Sequence, residues 1–284
     1  MISPSTKLVC LLGTPLGFSF APAMQNKAFE AAGLDYFYLP IECDKDSLPD
    51  ILRAIRHMNF AGFAVTKPLK IEIMKYLDHL DMLTKQIGSC NTVVVKDGKF
   101  VGYNTDGVGF AQSLSRRYGN YTGKRMFVFG AGGASRALCF TTIANGISEL
   151  YITDMYEAAS QALVDDINEQ TEAKAVLVQQ ADKNLSVHVG ECDIVVNASG
   201  LGMTPHLNES PIEQHWLYPA QFACELSYNP PKSLFLKQAE KAGCQSMGGL
   251  EMSLIQGAYQ FHLWTGLPEP IEQMRNTLQI LMQN

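Results

Sequence analysis

The stretch Phe127-Val128-Phe129-Gly130-Ala131-Gly132-Gly133-Ala134-Ser135-Arg136 decides the fold. Its apolar run Arg125 to Phe129 reads as a buried strand, its glycines as a tight turn, and Ser135 to Asn145, stopped by Gly146, as a helix. Strand, glycine turn and helix in this order are what a dinucleotide needs. Gly130 permits the turn, Gly132 lets the backbone approach a pyrophosphate, and Ser135 at the third fingerprint position is small enough for close helix–strand packing. The helix start adds free N–H groups and a partial positive charge. Gly130, Ala131, Gly132, Gly133 and Ala134 are therefore the expected cofactor-contacting residues; the alternative is a glycine-rich turn that serves packing alone.

The next strand, Glu149 to Thr153, ends at Asp154, 24 residues beyond Gly130. That is near the spacing for a carboxylate on the adenosine ribose hydroxyls. NADP would place a 2′-phosphate there, usually beside an Arg, whereas Met155 and Tyr156 follow here. A carboxylate facing a phosphate forfeits a charge-assisted hydrogen bond of roughly 1.5–3 kcal/mol. NAD is the expected cofactor, with NADP second. The alternative makes Asp154 a cap for the helix expected over Ala158 to Gln170.

Outward from this core the same alternation continues. Lys7 to Leu12, Tyr36 to Ile41 and Gly62 to Thr66 read as strands, and Pro22 to Ala32 and Ser47 to Met58 as helices. Thr92 to Lys96 and Lys99 to Gly102 around Asp97-Gly98 read as a hairpin. A helix, Val108 to Tyr118, follows Asp106; Asp193 to Asn197 and Phe222 to Leu226 read as further buried strands. Leu250 to Trp264 and Ile271 to Met282 are helical, and these last helices are expected to pack partly on the first block. Strands alternating with helices give an α/β fold with mainly parallel sheets. At roughly 150 residues per domain, the 284-residue chain makes about two domains.

With 22 Lys plus Arg against 28 Asp plus Glu, a net charge of −6, and basic residues only in pairs such as Arg116-Arg117, nucleic acid is not an expected partner. No apolar run reaches the length of a membrane span, and Met1 to Lys7 lacks the pattern of a secretion signal, so a cytoplasmic location is expected. The seven cysteines are scattered with no C-x-x-C pair, and the six histidines show no ligand spacing. Buried, reduced thiols and no metal are expected.

Five further segments carry a resemblance. They are Gly13-Thr14-Pro15-Leu16-Gly17-Phe18-Ser19-Phe20-Ala21-Pro22-Ala23-Met24-Gln25-Asn26, Phe63-Ala64-Val65-Thr66-Lys67-Pro68-Leu69-Lys70, Ile87-Gly88-Ser89-Cys90-Asn91-Thr92, Asn104-Thr105-Asp106-Gly107 and Gly249-Leu250-Glu251-Met252-Ser253-Leu254-Ile255-Gln256. In this order and spacing the chain resembles the shikimate dehydrogenase family, including its quinate/shikimate enzymes, from about Val9 to Gly266. The resemblance implies a substrate-binding and catalytic α/β domain over 1–106, completed by helices from about 250 to 284, and an NAD-binding Rossmann domain over 107–249. It implies reversible oxidation of a ring hydroxyl of a small alicyclic hydroxy acid, shikimate or quinate, with hydride passing to the nicotinamide. It makes Lys70 and Asp106 the catalytic pair and Ser19, Thr66, Asn91, Tyr228 and Gln256 substrate contacts, and places Leu226 and Gly249 near the nicotinamide. Read singly, Lys70 is a solvated lysine after Pro68, Asp106 a helix N-cap and Asn91 a turn residue.

Three departures bear on the substrate. Phe18-Ser19-Phe20-Ala21-Pro22 stands where the family usually has His-Ser-x-Ser-Pro, Ala64-Val65-Thr66 where it has Asn-Val-Thr, and Glu251 where it has glycine. They leave the catalytic pair intact and the polar pocket poorer. Two other readings follow: an enzyme for a different hydroxy acid, and a non-catalytic NAD(H)-binding sensor, which retention of both Lys70 and Asp106 disfavours. A monomer and a homodimer are equally compatible with the sequence.

Overall fold

The computed structural model describes residues 2–17 and 19–283, the side chain of Gln283 excepted, so Phe18 of the first departure lies outside the described residues. The chain divides into two units, one running to Thr105 and resuming at Leu254, the other comprising Asp106–Ser253.

The first unit contains β1 (Lys7–Gly13), α1 (Ala21–Ala31), β2 (Tyr36–Glu42), α2 (Leu48–His57), β3 (Phe60–Val65), β4 (His79–Leu80), α3 (Met82–Ile87), β5 (Thr92–Lys96) and β6 (Lys99–Tyr103). Its sheet runs β2-β1-β3-β5-β6-β4. β1 lies parallel to β2 and β3, but β5 is antiparallel to both β3 and β6. The Asp97-Gly98 link, with φ of 52° and 70°, sets β5 against β6, because two residues can only reverse a chain, whereas a parallel neighbour needs a crossover. Pro40, which has no N–H to give, sits in β2 at the sheet's edge. Leu12, Leu48, Ile55, Phe63 and Phe100 form the buried centre, with Phe63 and Phe100 edge to face at 5.3 Å.

The second unit starts within α4 (Thr105–Tyr118) and continues through β7 (Arg125–Phe129), α5 (Gly133–Ala144), β8 (Glu149–Thr153), α6 (Glu157–Gln170), β9 (Lys174–Leu177), α7 (Leu185–Gly190), β10 (Ile194–Asn197), β11 (Phe222–Glu225), α8 (Leu234–Lys241) and β12 (Gln245–Met247). Its sheet, β12-β11-β10-β7-β8-β9, is parallel throughout, a Rossmann-type arrangement. Strand order reverses between β7 and β10, the place where such sheets bind ligands at their carboxyl ends. The core packs Phe127, Phe129 and Phe235.

α9 (Gly249–Thr265) and α10 (Ile271–Gln283) end the chain. Beyond Leu254 they belong to the first unit, where Gln25 Nε2 donates to the Gly257 carbonyl at 2.8 Å, Trp264 Nε1 to the Val93 carbonyl at 3.0 Å, and Phe261 stacks on Phe29 at 5.4 Å. All seven cysteines are buried free thiols. Among the described residues no helix is long and apolar enough to cross a membrane.

Candidate active site

In the first unit the candidate residues gather at the carboxyl ends of β1 and β3. Thr66 leaves β3 with its N–H on the Leu12 carbonyl, 2.9 Å, and its carbonyl accepts from Leu69 N, 2.9 Å, turning the chain toward Lys70. The Lys70 carbonyl accepts from Cys90 N at 2.8 Å, and the Asn91 carbonyl from Val65 N at 2.8 Å. These bonds stitch the 63–70 segment to the 87–92 segment. The second of these is aimed by α3: Asp81 caps its start by accepting from Thr84 N at 3.1 Å, and Gly88, at φ 72°, ends it.

Asn91, 2% exposed, is the hub. Its Oδ1 accepts from Thr105 N at 2.8 Å and from Thr92 Oγ1 at 2.9 Å. Its Nδ2 donates to Thr105 Oγ1 at 3.0 Å and to Gln256 Oε1 at 3.4 Å, and Thr105 Oγ1 donates to the same Gln256 oxygen at 3.1 Å. Gln260 Nε2 completes the set on Thr92 Oγ1, 2.8 Å. The result is a fixed array of neutral donors and acceptors, suited to ring hydroxyls. Thr92, Thr105 and Gln260 were absent from the expected contacts, although Thr92 and Thr105 stood in quoted segments. Burial pushes the neighbouring Cys90 thiol up to about 12, so this cysteine stays protonated and takes no part as a nucleophile.

Asp106 follows Thr105 directly. α4 begins at Thr105, three residues earlier than the sequence implied, so Asp106 lies in the helix's first turn and not at an N-cap. Ser19 Oγ accepts from Ala21 N at 3.3 Å at the start of α1. Ala64 is buried within β3 opposite Thr92. Tyr228 is 38% exposed, beyond the end of β11.

In the second unit Gly130 follows β7 with φ 105°, and a Cβ there would stand 2.5 Å from the Ala198 carbonyl beyond β10. Only glycine fits this approach. At Gly132, the cap of α5, and at Gly133 an added Cβ meets nothing within 4 Å, so the face above the helix start is open. Beside it is a cleft of about 330 Å³ whose lining includes Gly130, Thr153, Asp154, Tyr156, Ser199 and Glu209. The open glycine face and the helix start fit a dinucleotide pyrophosphate, with Ala134 in the helix's first turn. Leu226 and Gly249 also meet: a Cβ on Gly249 would lie 2.0 Å from the Leu226 carbonyl oxygen, and Gly249 N donates to the Ser227 carbonyl at 3.3 Å.

Asp154 behaves otherwise than expected. Its Oδ2 accepts from Ala131 N at 2.7 Å and its Oδ1 from Tyr156 N at 2.8 Å. Both oxygens hold backbone, so the carboxylate ties the glycine loop to the β8 turn, and the Ala131 N–H is spent on it.

Comparison with known proteins completes the description. Residues 11–93 match the shikimate dehydrogenase substrate binding domain, and residues 249–279 the shikimate 5′-dehydrogenase C-terminal domain. A shikimate dehydrogenase (NADP(+)) of Desulforamulus reducens is 38% identical over 98% of this chain and 96% of its own. The solved shikimate 5-dehydrogenase of Listeria monocytogenes, in complex with shikimate and NAD, is 36% identical, covers 98% of both chains and superposes with a TM-score of 0.94. A shikimate dehydrogenase solved in complex with NADP+ is 34% identical over 99% of this chain and 97% of its own, with a TM-score of 0.92. The expectation of NAD is overturned by the NADP(+) name of the first relative and the NADP+ bound in the last structure. The carboxylate on which that expectation rested also accepts from Ala131 N and Tyr156 N, so it holds the glycine loop to the β8 turn whichever dinucleotide binds.

Proposed function

The chain belongs to the shikimate dehydrogenase family, and from that premise we propose that it catalyses the reversible, NADP-dependent oxidation of a ring hydroxyl of shikimate to the ketone. The observation that carries this reading is the Asn91 hub. Its bonds to Thr105 and Gln256 draw three of the family's segments onto one buried amide, immediately before Asp106 and one residue from the amide that holds Lys70.

In this reading Lys70 takes the hydroxyl proton as hydride leaves the same carbon, and returns it in the reverse direction. Asp106 orients the ammonium and the hydroxyl. Thr66, Asn91, Gln256 and Tyr228 hold ring hydroxyls, and Ser19 the carboxylate. The dinucleotide, when bound, accepts the hydride. The N–H groups of Gly132, Gly133 and Ala134 hold its pyrophosphate, Gly130 keeps β7 close to β10, and Leu226 and Gly249 flank the nicotinamide. No Lys or Arg lines the cleft beside Asp154, so Tyr156 and Gln180 are the neutral donors for the 2′-phosphate.

The test is steady-state turnover, followed by NADPH absorbance, with shikimate, quinate and other alicyclic hydroxy acids, each with NADP and with NAD. Turnover of shikimate with NADP is expected. Turnover confined to another acid would overturn the substrate, a higher kcat/KM with NAD the cofactor, and no turnover with any acid the assignment as an enzyme.

A further inference from the structure

Glu225, the last residue of β11, is 2% exposed, and none of its hydrogen-bond partners carries a charge. Its Oε1 accepts from Ser227 N at 2.9 Å. Its Oε2 accepts from Asn197 Nδ2 at 2.8 Å and from Ser233 Oγ at 2.6 Å. The directions of these bonds are fixed by what lies behind them. Asn197 Oδ1 is taken by Ser199 N at 3.2 Å and Ser199 Oγ at 2.7 Å, so its amide N–H faces Glu225. Ser233 Oγ accepts from Leu236 N at 3.3 Å as the cap of α8, leaving its own proton for the carboxylate. Three donors converge on one side chain, which is the complement of an ionised, acceptor-only carboxylate. Burial pushes its pKa up, so the arrangement carries a standing cost that an apolar strand end would avoid.

What that cost secures is the geometry of three loop ends. Through Asn197, which also donates to the Leu201 carbonyl at 2.9 Å, Glu225 fixes the exit from β10. Through Ser233 it fixes the start of α8. Through Ser227 N it fixes Leu226-Ser227, whose carbonyls are the surface against which Gly249 lies. Glu225 itself does not line the cleft beside Asp154.

We propose that Glu225 is a positioning residue for hydride transfer: its buried carboxylate holds the Leu226-Ser227 backbone, and with it Gly249, in the arrangement that orients the nicotinamide. This rests on the reading above that Leu226 and Gly249 flank that ring. Displacing a reacting group by about 1 Å can cost about 10²-fold in rate, and Glu225 acts on orientation and not on the pyrophosphate grip.

The test is Glu225→Gln in the full chain, which keeps the size and turns an N–H₂ toward donors. The expected result is a kcat lowered at least about tenfold, an NADP KM within about threefold of wild type, and a larger primary deuterium isotope effect with ring-deuterated shikimate. Glu225→Asp, which restores the charge, should recover part of kcat. A Glu225→Gln kcat within about twofold of wild type overturns the proposal, as does an NADP KM that rises in proportion to the lost kcat, which marks collapse of the whole dinucleotide unit. Should Glu225→Gln fail to fold, Ser233→Ala, which removes one donor to Oε2, decides it: a lowered kcat at constant NADP KM supports the role, and an unchanged kcat overturns it. Absence of turnover in the wild type would instead sink the enzymatic reading, so the two failures are distinct.

Discussion

Lys70 is anchored through its carbonyl, which accepts from Cys90 N, so trimming its side chain leaves the segment in place. Lys70→Ala is expected to lower kcat by about 10²–10⁴-fold with dinucleotide binding unchanged, measured by steady-state kinetics and a fluorescence titration. Asp154→Ala has a different signature. Two backbone N–H groups lose their acceptor, so thermal unfolding should shift by about 1–3 kcal/mol, and NADP and NAD should both bind more weakly, without a change of preference between them. A binding experiment showing a preference switch would contradict the structural role given to this carboxylate. Ala21→Ser, adjacent to the Ser19 hydroxyl bond, is expected to lower the shikimate KM by about 10- to 150-fold at constant kcat, since the carboxylate lies away from the reacting carbon. At this scale the sequence conveyed residue types and segments well. It could not convey that Asp154 spends both oxygens on amides, because that depends on how β7 and β8 align, nor that Thr105 and Gln260 complete the hub, because those bonds join residues far apart in the chain.

Among the elements, β6 is pinned by a contact whose pH dependence can be worked out. Asp78 Oδ2 accepts from Phe100 N at 2.7 Å and from Arg56 Nη2 at 3.0 Å, while the Arg56 guanidinium lies 3.9 Å from the centre of the Phe100 ring. The Phe100 N–H foremost, with Arg56 adding to it and burial opposing, holds the Asp78 carboxyl below its usual range. A depressed pKa gives stability that is present above the unfolded value of 3.8 and lost as pH falls through the folded one. Asp78→Asn should therefore lower Tm at neutral pH, and the gap from wild type should close as the pH is taken below 3.8; a gap independent of pH would remove the carboxylate from this role. Strands β7 and β8 were legible to the residue, since their apolar runs are bounded by charge and glycine. β9, α7, α8 and β12 were not. β9 and β12 are short strands at the sheet's edges, where one exposed side erases the apolar run, and α8 spans only Leu234–Lys241, little more than two turns. Its signal was Ser233, whose side chain caps it at Leu236 N.

For the molecule as a whole, the net charge of −6 and the paired, unclustered basic residues leave little to attract polyanions. The alternation of strands and helices made two α/β units legible. The antiparallel β5, inside the first sheet between β3 and β6, was legible only against β6, through the Asp97-Gly98 reversal. The first unit is assembled from both ends of the chain, with Asp106–Ser253 lying between them in sequence. During synthesis, at about 5–20 residues per second, the Val93 carbonyl and the Thr92 hydroxyl emerge long before Trp264 and Gln260, which bond to them. The intervening unit is complete while its predecessor still waits for its last two helices. Ribosome-stalled chains of increasing length, probed by pulse proteolysis, should thus acquire protection in Asp106–Ser253 first, and in the residues before Thr105 only after α9 has left the exit tunnel. Until then Gly62 and Val93 lack the indole that packs on them, and the length of that interval is written into the position of Trp264.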